Sequence, residues 1–222
     1  MRSKRTLIAF CVGFFGLSAT GFAAAQTGSR KPAITCEQLG SIKIKDAGSI
    51  TAQSAAAGTF TPPGSAALNN LPAFCRVSLV IKPQINIEVW LPMSWNERFQ
   101  AVGGGGYAGA ISWAALATAI RGGYATASTD TGHNAATQPG GSFALNADGT
   151  VNSQLIEDFA FRSLEQLTIQ SQELIRVFYS ERPKYSYWNG CSTGGRQGLI
   201  QAQRLRSTGT DSSRLNCGRK SR

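Results

Sequence analysis

Tyr185-Ser186-Tyr187-Trp188-Asn189-Gly190-Cys191-Ser192-Thr193-Gly194-Gly195-Arg196-Gln197-Gly198 is the stretch that decides how this chain is read. Tyr185 to Trp188 is a short aromatic strand. A helix begins near Thr193 and continues through Leu199 to Arg204. Between them, Gly190-Cys191-Ser192-Thr193-Gly194 fits G-x-S-x-G, and strand, serine, helix is the context a nucleophile elbow requires. A serine in so tight a turn is held in strain, and side chains at 190 or 194 would collide with neighbouring elements. The helix start then aims backbone N–H groups at the site, where they can stabilise a developing oxyanion. Ser192 is therefore the candidate nucleophile, and the Thr193 amide a candidate oxyanion donor. The bland alternative is a serine N-cap beside a structural glycine turn.

Upstream, Phe99 to Val102 reads as a buried strand stopped by Gly103-Gly104-Gly105-Gly106. Glycines directly after a strand let a substrate approach the main chain, so Gly104 or Gly105 is the candidate second oxyanion donor. A rival reading uses the same residues: Gly104-x-Gly106-x-x-Gly109, with Asp130 at a later strand end, fits a dinucleotide-binding fingerprint. That reading gives Ser192 no task. His133, the single histidine, lies before the serine and three residues after Asp130. The order in this hydrolase class is serine, acid, histidine, so His133 is read as structural or substrate-facing. Trp90, Trp95, Trp113, Tyr107 and Trp188 are more often core than substrate platform.

The remaining elements give the class. Phe74 to Ile81 and Ile85 to Leu91 alternate as an antiparallel hairpin. Ser49 to Gly58 suits a strand or a loop equally. Ile111 to Ile120 is a helix closed by Gly122-Gly123, and Tyr124 to Thr129 a strand. Thr131 to Asp148 is a long polar excursion. Leu155 to Tyr179 is the longest helix, with Ala160, Leu164, Leu167, Leu174 and Phe178 on one face, Ser171 interrupting, and Asn152 or Ser153 as cap. Strands alternating with helices predict an α/β fold with parallel strands.

The net charge of +10 sits mainly at the ends of the chain, and residues 26–203 carry only +2. A nucleic-acid groove needs its cations clustered on the folded part, so that class is excluded. Arg2, Lys4 and Arg5, an apolar run from Leu7 to Leu17, and Ala23-Ala24-Ala25 read as a signal peptide over residues 1–25. The mature chain is then secreted or periplasmic, with no membrane association. Cys11 leaves with that segment. In an oxidising compartment Cys36 and Cys75 are a candidate disulfide. The cysteine spacings match no zinc pattern, so no metal is assigned.

Three stretches resemble the tannase and feruloyl esterase family of α/β hydrolases: Trp95-Asn96-Glu97-Arg98-Phe99 leading to Val102-Gly103-Gly104-Gly105-Gly106-Tyr107, Ser128-Thr129-Asp130-Thr131-Gly132-His133, and the opening stretch. The resemblance covers roughly residues 34–204. It implies hydrolysis of small aromatic esters of phenolic acids through an acyl-serine intermediate. It also implies that Cys191 pairs with a cysteine beside the catalytic histidine, and that a lid, often with calcium, follows the nucleophile helix. Here the partner of Cys191, the catalytic acid and histidine, the lid and the calcium ligands have no counterpart, so no cofactor is expected. Residues 205–222 are rich in Ser and Arg without apolar periodicity and read as an aberrant basic tail, disordered, as from a shifted frame or gene fragment. The expectation is thus a signal peptide at 1–25, an incomplete α/β-hydrolase domain at 26–204, and a tail. The product is expected to be inactive or nearly so. The alternative is a non-catalytic remnant with an open sheet edge.

Overall fold

A computed structural model describes residues 29–204 and 213–216. The export segment at 1–25, Cys11 and Cys217 lie outside these residues. In chain order the elements are α1 (Cys36–Leu39), β1 (Ala47–Ala55), β2 (Gly58–Phe60), β3 (Leu68–Leu71), β4 (Phe74–Ile81), β5 (Ile85–Pro92), β6 (Arg98–Val102), α2 (Trp113–Arg121), β7 (Ala125–Thr129), α3 (Ser153–Glu157), α4 (Ser163–Tyr179), β8 (Tyr185–Asn189), α5 (Thr193–Arg204) and β9 (Ser213–Asn216). A single π-helical turn, Asp158–Arg162, joins α3 to α4. The main sheet has strand order β1-β4-β5-β7-β6-β8-β9.

Two halves meet in that sheet. β1, β4 and β5 form an antiparallel meander, and β5 pairs antiparallel with β7. β7, β6, β8 and β9 run parallel. The alternation of the hairpin sets its two faces. Val77, Leu79 and Ile81 stand opposite Val89, Ile87 and Ile85, and all six are buried in the core beside Leu164, Leu167 and Leu174 of α4. On the other face Phe74 and Trp90 pack with Leu116 and Ile120 of α2, roofed by Phe60 and Leu68 of the β2–β3 ribbon. Arg76 bridges to Glu88 there, and Glu88 also accepts from Ser78 Oγ (2.5 Å) and Trp90 Nε1 (3.2 Å).

Several local expectations are settled. The ambiguous segment near Ser49 is strand β1, because its residues complete the ladder of β4. The long helix holds, capped by Asn152 Oδ1 accepting from Leu155 N (3.0 Å) and ended by Ser180 at φ 55°. Ser171 lies on its buried face. Cys36 and Cys75 are bonded, with Cα atoms 5.4 Å apart, pinning α1 to β4. Within the segment read as a tail, Ser213 to Asn216 form β9 and register against Ser186 to Asn189. Backbone pairing needs no apolar side-chain period, so the composition of this segment concealed it. β8 is accordingly paired on both sides.

The topology also locates a crevice. From β6 the chain passes through α2 to β7, then returns through α4 to β8 on the other side of β6. Right-handed crossovers in opposite directions place α2 and α4 on opposite faces of the sheet. Ligands in open α/β sheets bind outside the strand carboxyl ends where the order reverses, here between β6 and β8.

Candidate active site

The elbow sits at the carboxyl end of β8. Ser192 has φ 54°, a left-handed conformation that costs a non-glycine residue about 1 kcal/mol or more. The turn around it is too tight for side chains. A Cβ on Gly190 would lie 2.6 Å from Gly194 O, and one on Gly194 would lie 2.9 Å from Gly104 O. Ser192 is exposed, and its hydroxyl makes no hydrogen bond among the described residues. Gly194 N donates to Cys191 O (2.9 Å), and Gly195 N and Arg196 N both donate to Ser192 O (2.9 and 3.1 Å). The Thr193 amide donates to no acceptor among the described residues. Trp188 holds the turn from beneath, its Nε1 donating to Gly194 O at 2.7 Å.

The four-glycine segment lies directly against this turn. A Cβ on Gly103 would fall 2.6 Å from Gly194 Cα, so main chain packs on main chain. Gly103 N donates to Asn189 O (2.9 Å), extending the β6–β8 ladder to the elbow. Thr193 Oγ1 donates to Gly106 O, tying the far end of the segment to α5. The two candidate donors now separate. Gly104 N already donates to Gln197 Oε1 at 3.0 Å. Gly105 N has no acceptor among the described residues. Of these two amides, that of Gly104 is thus engaged by a side chain from the nucleophile helix.

Asp130 and His133 serve their own loop. The Asp130 carboxylate accepts from Asn86 N (3.0 Å), Asn86 Nδ2 (2.5 Å) and Gly132 N (2.8 Å), and burial raises its pKa. It is not the free ribose-binding acid that the dinucleotide reading needs. His133 is 3% exposed, with Nδ1 3.2 Å from Thr131 Oγ1 and its ring stacked 4.1 Å from that of Phe143. Its Nε2 is buried without a partner, and burial lowers its pKa. It makes no hydrogen bond to Ser192.

Cys191 is a free, exposed thiol among the described residues. Trp90, Trp95 and Trp188 are core, and Trp113 stacks on Trp90, whereas Tyr107 stands 56% exposed beside the glycine segment. No group of three or more His, Cys, Asp and Glu side chains among the described residues could hold a metal ion.

Sequence reading gave no separate role to Gln197. It is 1% exposed and reaches from α5 to the glycine segment. A signal existed: it stands four residues after Thr193, on the helix face turned toward the sheet, where an uncharged polar residue needs a partner. Arg196 was missed too. Its guanidinium lies 4.6 Å from the centroid of the Phe159 ring and donates to Phe159 O (3.2 Å) and Ala160 O (3.4 Å). No spacing rule connects residues so far apart in the chain.

A serine lifted at positive φ from a parallel strand into a helix start, beside a glycine segment on the neighbouring strand, defines the α/β-hydrolase class. The chain belongs to the tannase and feruloyl esterase family, whose model matches residues 71–208. It is 37% identical over 150 residues to a probable feruloyl esterase of Arthroderma benhamiae, covering 64% of this chain and 28% of that protein. An uncharacterized esterase of Xanthomonas campestris is also 37% identical, over 77% of this chain and 29% of its own length. Among solved structures, feruloyl esterase B from Aspergillus oryzae matches with a TM-score of 0.63 and 31% identity, over 77% of this chain and 34% of that one. Tannin acyl hydrolase from Aspergillus niger matches with a TM-score of 0.59 and 26% identity, over 79% and 34%. The chain thus spans less than a third of the length of these curated relatives. Among the described residues no helix is long and apolar enough to cross a membrane.

Proposed function

We propose that this chain carries the nucleophile and oxyanion half of an exported carboxylic ester hydrolase acting on esters of phenolic acids. Ser192 Oγ attacks the ester carbonyl, and the negative charge on the carbonyl oxygen is held by the amides of Thr193 and Gly105. Collapse of that intermediate releases the alcohol, which takes up the serine proton, and leaves an acyl-serine. Water then cleaves it to the acid. The observation that supports this reading is the main-chain contact of Gly194 with Gly103, which packs the glycine segment against the elbow that carries an exposed Ser192. The names of the relatives supply the ester class.

A serine hydroxyl is a poor nucleophile without a base. His133, the only histidine in the 222 residues, is buried between Thr131, Phe143 and the main chain at Gly109 and makes no hydrogen bond to Ser192. The 222-residue polypeptide therefore hydrolyses methyl ferulate and methyl gallate no faster than buffer. Turnover abolished by Ser192→Ala would overturn that statement. The nucleophile itself is tested with an activated ester, p-nitrophenyl ferulate, which needs less help from a base. Mass spectrometry is expected to find one feruloyl group, on Ser192, and none in Ser192→Ala. Acylation scattered over lysines, or unchanged in the variant, would sink the reading.

A further inference from the structure

Tyr107 follows the glycine segment and is held to the nucleophile helix by two separate routes. The first is main chain: Thr193 Oγ1 donates to Gly106 O, the carbonyl of the peptide that leads into Tyr107. The turn closes with Ala108 N donating to Gly105 O at 2.8 Å, and Gly106 and Ala108 both have positive φ. The second route is through rings. Tyr107 packs 6.4 Å from Phe159, and the Phe159 ring lies under Arg196 of α5. Phe143 adds an edge contact 6.5 Å away, and a Cβ on Gly141 would meet Tyr107 Cε1 at 3.5 Å.

The backbone of Tyr107 is thus fixed, and its ring, although in contact with Phe159 and Phe143, keeps much of its surface open. Its 56% exposure contrasts with the burial of Phe143. Tyr185 is also exposed, but it starts β8, at the end of the strand away from Ser192. An aromatic ring that is anchored and left open over much of its surface is built to stack a second ring. It stands two residues after Gly105, the amide proposed for the oxyanion, and next to Gly106, whose carbonyl is tied to Thr193 beside the serine.

We propose that Tyr107 is a specificity-determining residue whose open face stacks the aryl ring of the ester. The proposal deepens the esterase reading and rests on it for the ester, while the stacking itself requires no reaction at Ser192. Binding to the full 222-residue chain is measured by NMR titration with two matched pairs. Methyl 3-phenylpropanoate against methyl 3-cyclohexylpropanoate places the ring on the acid side. Benzyl acetate against cyclohexylmethyl acetate places it on the alcohol side.

In at least one pair the aryl ester is expected to bind about three- to tenfold tighter, the worth of one ring pair, and that pair identifies the side. Tyr107→Ala is expected to erase the preference and Tyr107→Phe to keep it. An equal preference in wild type and Tyr107→Ala overturns the proposal, as does the absence of any preference in wild type. Ser192→Ala is expected to leave the ratio unchanged. If Ser192 takes no acyl group and the ratio persists, the esterase reading fails alone. If Ser192 is acylated and Tyr107→Ala changes nothing, this inference fails alone.

Discussion

Two glycine-bearing loops leave the carboxyl ends of adjacent parallel strands, and they handle their polar groups in opposite ways. The loop after β7 is tied to its neighbours: Asp130 accepts three bonds from Asn86 of β5 and from Gly132, Ala135 N donates to Gly109 O of the β6 loop (2.9 Å), Thr131 meets His133, and the histidine is buried against Phe143. The loop after β6 is left open. Of its amides, Gly103 and Gly104 are spent on Asn189 and Gln197, whereas Gly105 faces no acceptor among the described residues. A donor already bonded has nothing to offer a transition state, which is why the proposed chemistry uses the loop that keeps a donor unspent. Asp130 and His133, the residues whose types most suggest catalysis, are both engaged or buried within this packing.

The comparison breaks most decisively at Ser192. Ser192→Ala is expected to abolish acylation by p-nitrophenyl ferulate while leaving the thermal melt in place, since the side chain makes no hydrogen bond among the described residues. Next come the glycines that join the open loop to the elbow. Gly103→Ala puts a methyl 2.6 Å from Gly194 Cα and Gly190→Ala one 2.6 Å from Gly194 O. Both strike main chain, which cannot swing aside, and a loss of roughly 2–4 kcal/mol is expected in denaturant titrations. Gly105→Ala meets nothing within 4 Å and should fall within about 0.5 kcal/mol of wild type. Equal losses at 103 and 105 would dissolve the distinction between scaffold and donor glycines.

A smaller effect is expected from Gln197→Leu. It strands the Gly104 amide, costing about 1–3 kcal/mol, and lets the loop drift. Acylation of Ser192 should slow about tenfold, with Gln197→Glu restoring part of the rate because its carboxylate can still accept. If Gln197→Leu acylates at the wild-type rate, the tether has no part in placing Gly105. The smallest effect belongs to the loop after β7. Burial depresses the folded-state pKa of His133, so its contribution to stability is intact above the unfolded value of about 6.5 and is lost as pH falls. The melting temperature should decline from about pH 7 to about pH 5.5, and His133→Phe should flatten that decline. Asp130, with its pKa raised by burial, acts in the opposite direction at lower pH. A melt indifferent to pH in both proteins would mean that the loop opens freely. A cooperative melt of any kind would argue against a remnant that cannot fold.

The sequence by itself determined the central hairpin, the long helix and the elbow, because these rest on local rules. Alternation at Val77, Leu79 and Ile81 needs only a sheet with one dry face, and Gly190 and Gly194 around Ser192 need only a turn too tight for a Cβ. The tertiary structure decided which donors remain available. Whether Gly104 or Gly105 is unspent depends on Gln197, which lies 93 residues from Gly104. Whether His133 faces solvent or a ring depends on Phe143 and the packing of its loop. β9 emerged from backbone pairing with β8, which leaves no mark on composition. Local stereochemistry is written residue by residue, whereas the availability of a hydrogen-bonding group is settled by partners distant in the chain that folding alone brings within 3 Å or so.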